Sequence, residues 1–385
     1  MRVAINLLTD HPDHPSGAHW GWTRTIPEMA KLLREGEEFQ LIVSPRSRPL
    51  HSGYGQGLRY LTFPWSNESP PKRVLTEQLY APVRLPLAKV DVFSTLIAPL
   101  VKPAPSVVVH FKTMHAYAEP DSLRPLNRLY RRLGYPHTAR VADAIILNSR
   151  SLQREVERYL EVDPAKLHLI PEAVDHDLFK PGDRDAAWNR VSTAYGLSKP
   201  FVLFVSSLWR YKNCHGLIRA FATAKPDLGD RQLVILGPPR DNEYVAELTA
   251  LAQQLGIADD VVWVGGVPLP ETVHFYRCAD LFAYPSFNET FGLPILEAMA
   301  SGCPVVTSDR SSMPETAGDA ALLIDPDDPR TLADALLKAC GPEADRLRAA
   351  GLERAGEFTW ARTAERTLEV YRQVYASRQE RGSRR

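Results

Sequence analysis

Several features are scarce in this chain of 385 residues, and each scarcity excludes something. There are only four cysteines, Cys214, Cys278, Cys303 and Cys340. No two are spaced as a CxxC pair, so a zinc site or a paired-thiol redox motif is not expected. Scattered thiols in a chain this large suit a reducing compartment, where disulfides are rare. No window approaches the ~20 apolar residues of a spanning helix. The opening MRVAINLLTD is too short in apolar residues for a secretory core. The expectation is a soluble, cytoplasmic protein. Net charge is missing too: 46 Lys and Arg balance 46 Asp and Glu, so the overall balance says nothing about a nucleic-acid partner, and none is expected. Tandem repeats and low-complexity segments are absent. No G-x-G-x-x-G follows the first strand of either half, which argues against a NAD-dependent dehydrogenase.

What is present is an alternation of short apolar runs with amphipathic stretches, the pattern of parallel sheets covered by helices. In the first half the runs at 3–7, 40–43, 90–94, 106–110, 144–147 and 167–170 read as strands. In the second half those at 201–205, 232–236, 261–264, 281–284, 304–307 and 321–324 do so. The polar stretch from His176 to Pro200 holds no strand pattern and contains Pro181-Gly182, which marks a connection. The predicted fold is α/β: two Rossmann-like, doubly wound parallel-sheet domains with an interdomain cleft. The first spans 1–180, a linker 181–200, and the second 201–359. A C-terminal helix at about 360–378 is free to pack back on the first domain. In such sheets ligands sit beyond the carboxyl ends of the strands, so the loops after strands carry the chemistry.

The densest of these loops is Tyr284-Pro-Ser-Phe-Asn-Glu-Thr-Phe-Gly-Leu-Pro-Ile-Leu-Glu. Pro294 suits the first turn of a helix, and Gly302 with Pro304 ends it. The amides of Phe291, Gly292 and Leu293 then lie at a helix N-terminus, where the dipole favours an anion. Glu289 on the loop and Glu297 one turn into the helix offer carboxylates to vicinal hydroxyls. A phosphate site flanked by two hydroxyl-binding acids describes a nucleotide sugar. The segment resembles the E-x7-E donor motif of family 4 retaining glycosyltransferases, which have the GT-B fold. The resemblance implies that Glu289 meets the donor sugar and Glu297 the ribose, with Thr290, Phe291, Gly292 and Leu293 around the sugar and diphosphate.

The loop Ser206-Ser-Leu-Trp-Arg-Tyr-Lys-Asn after the strand at 201–205 carries two cations, Arg210 and Lys212, able to meet a diphosphate, and Asn213 is placed to cap the next helix. The family has an arginine where Ser207 stands here, so Arg210 becomes its expected substitute. Gly265 and Gly266 end another strand, and by resemblance lie near the nucleotide base. In the first half the resemblance puts Gly17 in a loop near the donor phosphate or the acceptor, and His110, at a strand end, beside the reacting sugar. Trp20 and Trp22 can stack on a sugar or pack in a helix. Lys212, Glu289 and His110 are the implied catalytic residues. Glu172 stands where the family often has Asn.

The implied reaction moves a hexose, with a lean to mannose, from a nucleotide diphosphate sugar to a glycan, lipid-linked or small-molecule hydroxyl with retention of configuration. Neither cofactor nor metal is expected, since cationic groups can take a metal's place. A sugar phosphorylase or epimerase of the same fold, and a non-catalytic nucleotide-sugar binder, are the alternatives. Five arginines and no acid lie between Ser122 and Ala142. Arg124, Arg128, Arg131 and Arg132 share one helical stripe and Leu126, Leu129, Tyr130 and Leu133 another. A basic amphipathic helix can lie at the inner face of a membrane. The blander expectation packs the leucines inward and leaves the basic face in water.

Overall fold

A computed structural model of the chain describes residues 1–11, 17–54 and 58–383. It divides into two compact units, Met1–Glu172 with Trp360–Arg385, and Ala173–Thr359.

The first unit holds a seven-stranded parallel sheet. Its strands are β1 (Arg2–Asn6), β2 (Glu38–Val43), β3 (Arg59–Thr62), β4 (Val92–Thr95), β5 (Ser106–Phe111), β6 (Ala144–Leu147) and β7 (Leu167–Leu169), in the order β3-β2-β1-β4-β5-β6-β7. The strands read as continuous apolar runs because both faces are covered. Along β1, Val3 and Ile5 enter one core layer and Ala4 the opposite one, as the two-residue period requires. β3 escapes the periodicity because only Leu61 of its four residues is buried.

The second unit holds six parallel strands: β8 (Phe201–Val205), β9 (Gln232–Leu236), β10 (Val261–Gly265), β11 (Leu281–Tyr284), β12 (Val305–Ser308) and β13 (Leu322–Ile324), in the order β10-β9-β8-β11-β12-β13. The order reverses between β8 and β11. The loops that follow these two strands are the switch-point loops, where doubly wound sheets bind ligands.

The stretch 181–200 is not a linker. It folds as the helix Arg184–Tyr195, which buries Ala187 and Val191 in the second unit's core, packs against the helix Leu269–Cys278 and starts on the Asp183 side chain, which accepts from the amides of Asp185 and Ala186. The unit boundary accordingly falls at Glu172, not at 180. A weak apolar stripe hid this helix: only two of its residues are fully buried.

The last helix, Trp360–Ser383, belongs to the first unit. Ala364, Leu368 and Tyr371 enter the core layer built on Val3 and Ile5. The Tyr371 hydroxyl meets Ser94 Oγ at 2.8 Å and His110 Nε2 at 3.2 Å. The first core is therefore incomplete without the chain's last segment. Leu368→Ala is expected to destabilise the first unit by about 2–5 kcal/mol, the usual cost of a buried cavity. Leu352→Ala, at a more exposed position, should cost far less. Urea titration followed by tryptophan fluorescence compares the two.

Candidate functional site

The two switch-point loops are tied together by main-chain contacts. The Tyr211 carbonyl, after β8, accepts from the Phe287 amide at 2.8 Å and from Ser286 Oγ at 3.1 Å, both after β11. This clasp sets Lys212 against Glu289. The loop after β8 closes in a 3-10 turn, Arg210–Lys212, followed by Asn213 in the left-handed region at φ 56°. Asparagine tolerates that region better than most residues because its side chain bonds locally. Here Asn213 Oδ1 accepts from the Gly216 amide at 3.1 Å and caps the helix Cys214–Ala224, while Nδ2 donates to the Pro326 carbonyl at 2.8 Å.

Lys212 is buried. Its ammonium donates to the Tyr284 hydroxyl at 3.0 Å and to Glu289 Oε1, and the Tyr284 hydroxyl in turn donates to Glu289 Oε1 at 2.6 Å. Three side chains from two loops and a strand end thus form one charge-assisted cluster. Burial and the Glu289 carboxylate hold the Tyr284 phenol well above its usual range, so it remains a donor. Glu289 is fixed through its backbone as well: its amide meets Ser311 Oγ at 3.2 Å, and its carbonyl accepts from the hydroxyls of Ser311 and Ser312 at 2.6 and 2.8 Å. Ser311, like Asn213, has a left-handed backbone, at φ 56°. Costly non-glycine conformations gathered at one place suit a functional site.

Behind Glu289 the chain turns through Thr290 and the buried Phe291 to Gly292, at φ 90°, and enters the helix Leu293–Ala300. A side chain at Gly292 would meet strain from that φ and crowd Ile295 Cδ1 at 3.1 Å. No side chain caps this helix start, which leaves the dipole's positive end for an anion. One turn in, Glu297 Oε2 accepts from the Tyr276 hydroxyl at 3.2 Å, and burial pushes its carboxyl up to about 7. Tyr276, Phe282 and Tyr284 form a run of rings, with centroids 5.4 and 5.5 Å apart. Each glutamate therefore bonds to a tyrosine of the same aromatic row.

Other expected residues are placed differently. Arg210 is not joined to Lys212: its guanidinium pairs with Glu247, Nη1 to Oε2 at 2.8 Å and Nη2 to Oε1 at 2.5 Å, and stacks over Tyr244. At Ser207, where the cation is missing, the carbonyl accepts from the Trp209 amide. Gly265 closes β10 at φ 79° and its carbonyl accepts from the Gly237 amide at 2.8 Å; a side chain at Gly266 would meet Pro238. Gly237 escaped notice in the sequence. At φ 150° its Cβ would stand 1.9 Å from the Ser206 carbonyl oxygen, so only glycine lets the ends of β9 and β8 approach. Tyr284 and Tyr276 carry no sequence signal of this kind, since a tyrosine in a buried run reads as core. Their hydroxyl partners are visible only in three dimensions.

His110, on β5, belongs to the first unit, whereas Lys212 and Glu289 belong to the second. It is buried, edge-on to Trp22 at 4.9 Å, and burial beside the Lys112 charge keeps its imidazole well below the usual range. It lines a small pocket of about 30 Å³ with Lys112, Glu172 and Trp360. Lys112 pairs with Glu172 at 2.7 Å. Trp22 is packed in the core and lines the same pocket. Gly17 opens the helix Gly17–Lys31; Pro12, Pro15, Ser16 and the Trp20 side chain lie outside the described residues. Three Asp-x-Asp pairs occur, and all have structural partners. Asp175 accepts from the Asp177 amide, Asp183 caps a helix, and Asp325 and Asp327 pair with Arg310.

Two family models match in tandem: Glycosyltransferase Family 4 over residues 21–178 and Glycosyl transferases group 1 over 189–352. Among curated relatives, a D-inositol 3-phosphate glycosyltransferase of Nocardia farcinica is 34% identical over 265 residues, 66% of this chain and 57% of that protein. One of Stackebrandtia nassauensis is 34% identical over 272 residues, 68% and 60%. The matched region thus spans less than two thirds of those relatives' length. Among solved structures, the sucrose-phosphate synthase of Thermosynechococcus elongatus superposes with a TM-score of 0.75 at 18% identity, covering 98% of this chain and all of that one. The Anabaena HepE protein in complex with UDP-glucose gives 0.74 at 18%, covering 97% and 100%. With two parallel-sheet α/β units, both family models in sequence and these neighbours, the chain belongs to the family 4 glycosyltransferases and has their GT-B fold.

Proposed function

We propose that the chain transfers a hexose, mannose or a similar sugar, from a nucleotide diphosphate donor to an acceptor hydroxyl, with retained anomeric configuration and without a metal. The observation that carries this is the contact of Lys212 with Glu289 at the switch point, in front of a helix start that no side chain caps. An ammonium has three protons to donate. Tyr284 and Glu289 take two, which leaves one for a phosphate oxygen. The amides at Gly292 and Leu293 supply further donors where negative charge grows on the leaving group.

In the proposed step the bond from the anomeric carbon to the phosphate oxygen breaks as the acceptor oxygen bonds to that carbon. The acceptor proton passes to the departing phosphate. Glu289, held on both its backbone groups, orients the sugar by accepting from its hydroxyls, and Glu297 accepts from the ribose. The relatives' name points to a polyol phosphate as acceptor, which favours the small-molecule end of the acceptors considered; the acceptor side falls to the first unit.

Glu289→Ala and Lys212→Ala are each expected to lower turnover about 10²–10³-fold, the scale of losing one preorganised charge-stabilising group. Tyr284→Phe, which keeps the ring, should lower it about tenfold, one hydrogen bond's worth. Steady-state assays on variants with wild-type unfolding temperatures check both, and near-wild-type turnover in Glu289→Ala would contradict the assignment. Dialysis against a chelator should leave the rate unchanged, and a loss restored by a divalent cation would show a metal requirement. A Glu297 carboxyl titrating near 7 accepts fully from the ribose only when ionised. Donor affinity should therefore rise as pH goes from 6 to 8, and Glu297→Gln should flatten that profile in equilibrium titrations.

A further inference from the structure

The leucines of the basic helix Pro125–Val141 point outward. Leu126, Leu129 and Leu133 are 78, 54 and 69% exposed, and the helix buries Gly134, Tyr135, Thr138 and Ala139 instead. The expectation that its leucines pack inward is overturned. A second apolar ridge lies on the successive helical segments Pro70–Leu75, Thr76–Tyr80 and Ala81–Leu87. Leu75, Leu79, Val83 and Leu87 recur every four residues, so they run along one side, and they are 55–69% exposed. Leu100 and Val101, in the connection after β4, are also exposed.

Hydrogen bonds join these three segments. Gln78 Oε1 accepts from the Leu100 amide at 2.6 Å, Thr138 Oγ1 accepts from the Ala98 amide at 3.1 Å, and a His137 ring nitrogen meets the Pro99 carbonyl at 2.9 Å. The nine aliphatic side chains therefore share one region of the first unit. Among the described residues fifteen large apolar side chains are exposed, so nine in one place is a patch rather than scatter.

The exposed charge on these segments is positive; the neighbouring acid Asp121, also exposed, pairs with Arg128 of the basic helix at 3.7 Å, and Asp143 pairs with Lys102. Lys72, Lys89, Arg124 and Arg140 are exposed. The one acid on the first ridge, Glu77, is buried and accepts from Asn6 Nδ2 at 2.9 Å. Two arginines of the sequence stripe are engaged inside the unit: Arg131 donates to Asn127 and Tyr135, and Arg132 to the Ala116 carbonyl. Aliphatic tips flanked by cations complement a surface that is apolar beneath and anionic at its rim, as a bilayer with acidic lipids is.

We propose that this face seats the first unit on an anionic lipid bilayer, with Leu75, Leu79, Val83, Leu87, Leu126 and Leu129 entering the headgroup boundary and Lys72, Lys89, Arg124 and Arg140 meeting lipid phosphates. It is an in-plane contact: among the described residues no helix is long and apolar enough to cross a membrane. The proposal goes beyond the donor-site assignment and does not depend on it.

Co-sedimentation of the full chain with vesicles tests it. The protein should pellet with vesicles of equal parts phosphatidylglycerol and phosphatidylcholine, remain in solution with phosphatidylcholine alone, and be released by raised salt. The exposed-site double variant Leu79→Glu/Leu129→Glu should bind about tenfold more weakly, losing apolar insertion and adding repulsion. Arg124→Glu/Arg140→Glu should weaken binding to anionic vesicles. Donor hydrolysis by both variants should stay at the wild-type rate, which separates this test from that of the donor site. The proposal is overturned if the wild type stays in solution with anionic vesicles, or if Leu79→Glu/Leu129→Glu pellets as before. It is equally overturned if light scattering shows a wild-type dimer that this double variant splits, since a second copy would then cover the patch.

Discussion

A lysine ammonium buried against a glutamate and a tyrosine is the constraint around which the second unit is organised. Charges taken out of water are costly unless they are paired and fully hydrogen-bonded, and removing one partner of a buried pair typically costs about 3–5 kcal/mol. Lys212, Tyr284 and Glu289 are paired with one another, with one ammonium proton left over. Their meeting requires the β8 loop to turn inside three residues, the Tyr211 carbonyl to clasp the β11 loop, and Ser311 to hold Glu289 from below. The left-handed backbones at Asn213 and Ser311 are local costs that this arrangement imposes. The cluster retains a capacity that a purely structural ion pair would not need: an ammonium proton and a helix start, both suited to an anion.

The loop-to-helix segment around Glu289 and Glu297 could be read in the sequence because its markers are backbone markers. Gly292 and Pro294 show where a loop becomes a helix, and the spacing of Glu289 and Glu297 follows from that boundary. Lys212 was evident for the same reason, standing just before a cap residue. Partners chosen by side-chain direction were not evident. Arg210 is engaged by Glu247 and Tyr244, more than thirty residues on, which its loop sequence does not reveal. Tyr276 and Tyr284 looked like core.

The strands show the same division. Runs buried on both faces stood out as continuous apolar segments, whereas β3, with one buried residue, and the helix Arg184–Tyr195, with two, had too little periodicity to announce themselves. The helix Pro125–Val141 inverts the usual rule. Its leucines follow a helical period, yet small residues, Gly134 and Ala139, make the packed face. Periodicity reports that a stripe exists, not which side of it meets protein.

Everything said of chemistry depends on the switch-point cluster gripping a sugar-bearing diphosphate. Calorimetric titration of the full chain with GDP-, UDP- and dTDP-sugars tests that most directly. At least one of them should bind with one-to-one stoichiometry, and the corresponding nucleoside monophosphate, which lacks the second phosphate, should bind far more weakly. If none of the three families of donor binds, or if the monophosphate binds as tightly as the diphosphate sugar, the cluster at Lys212 is not a pyrophosphate site.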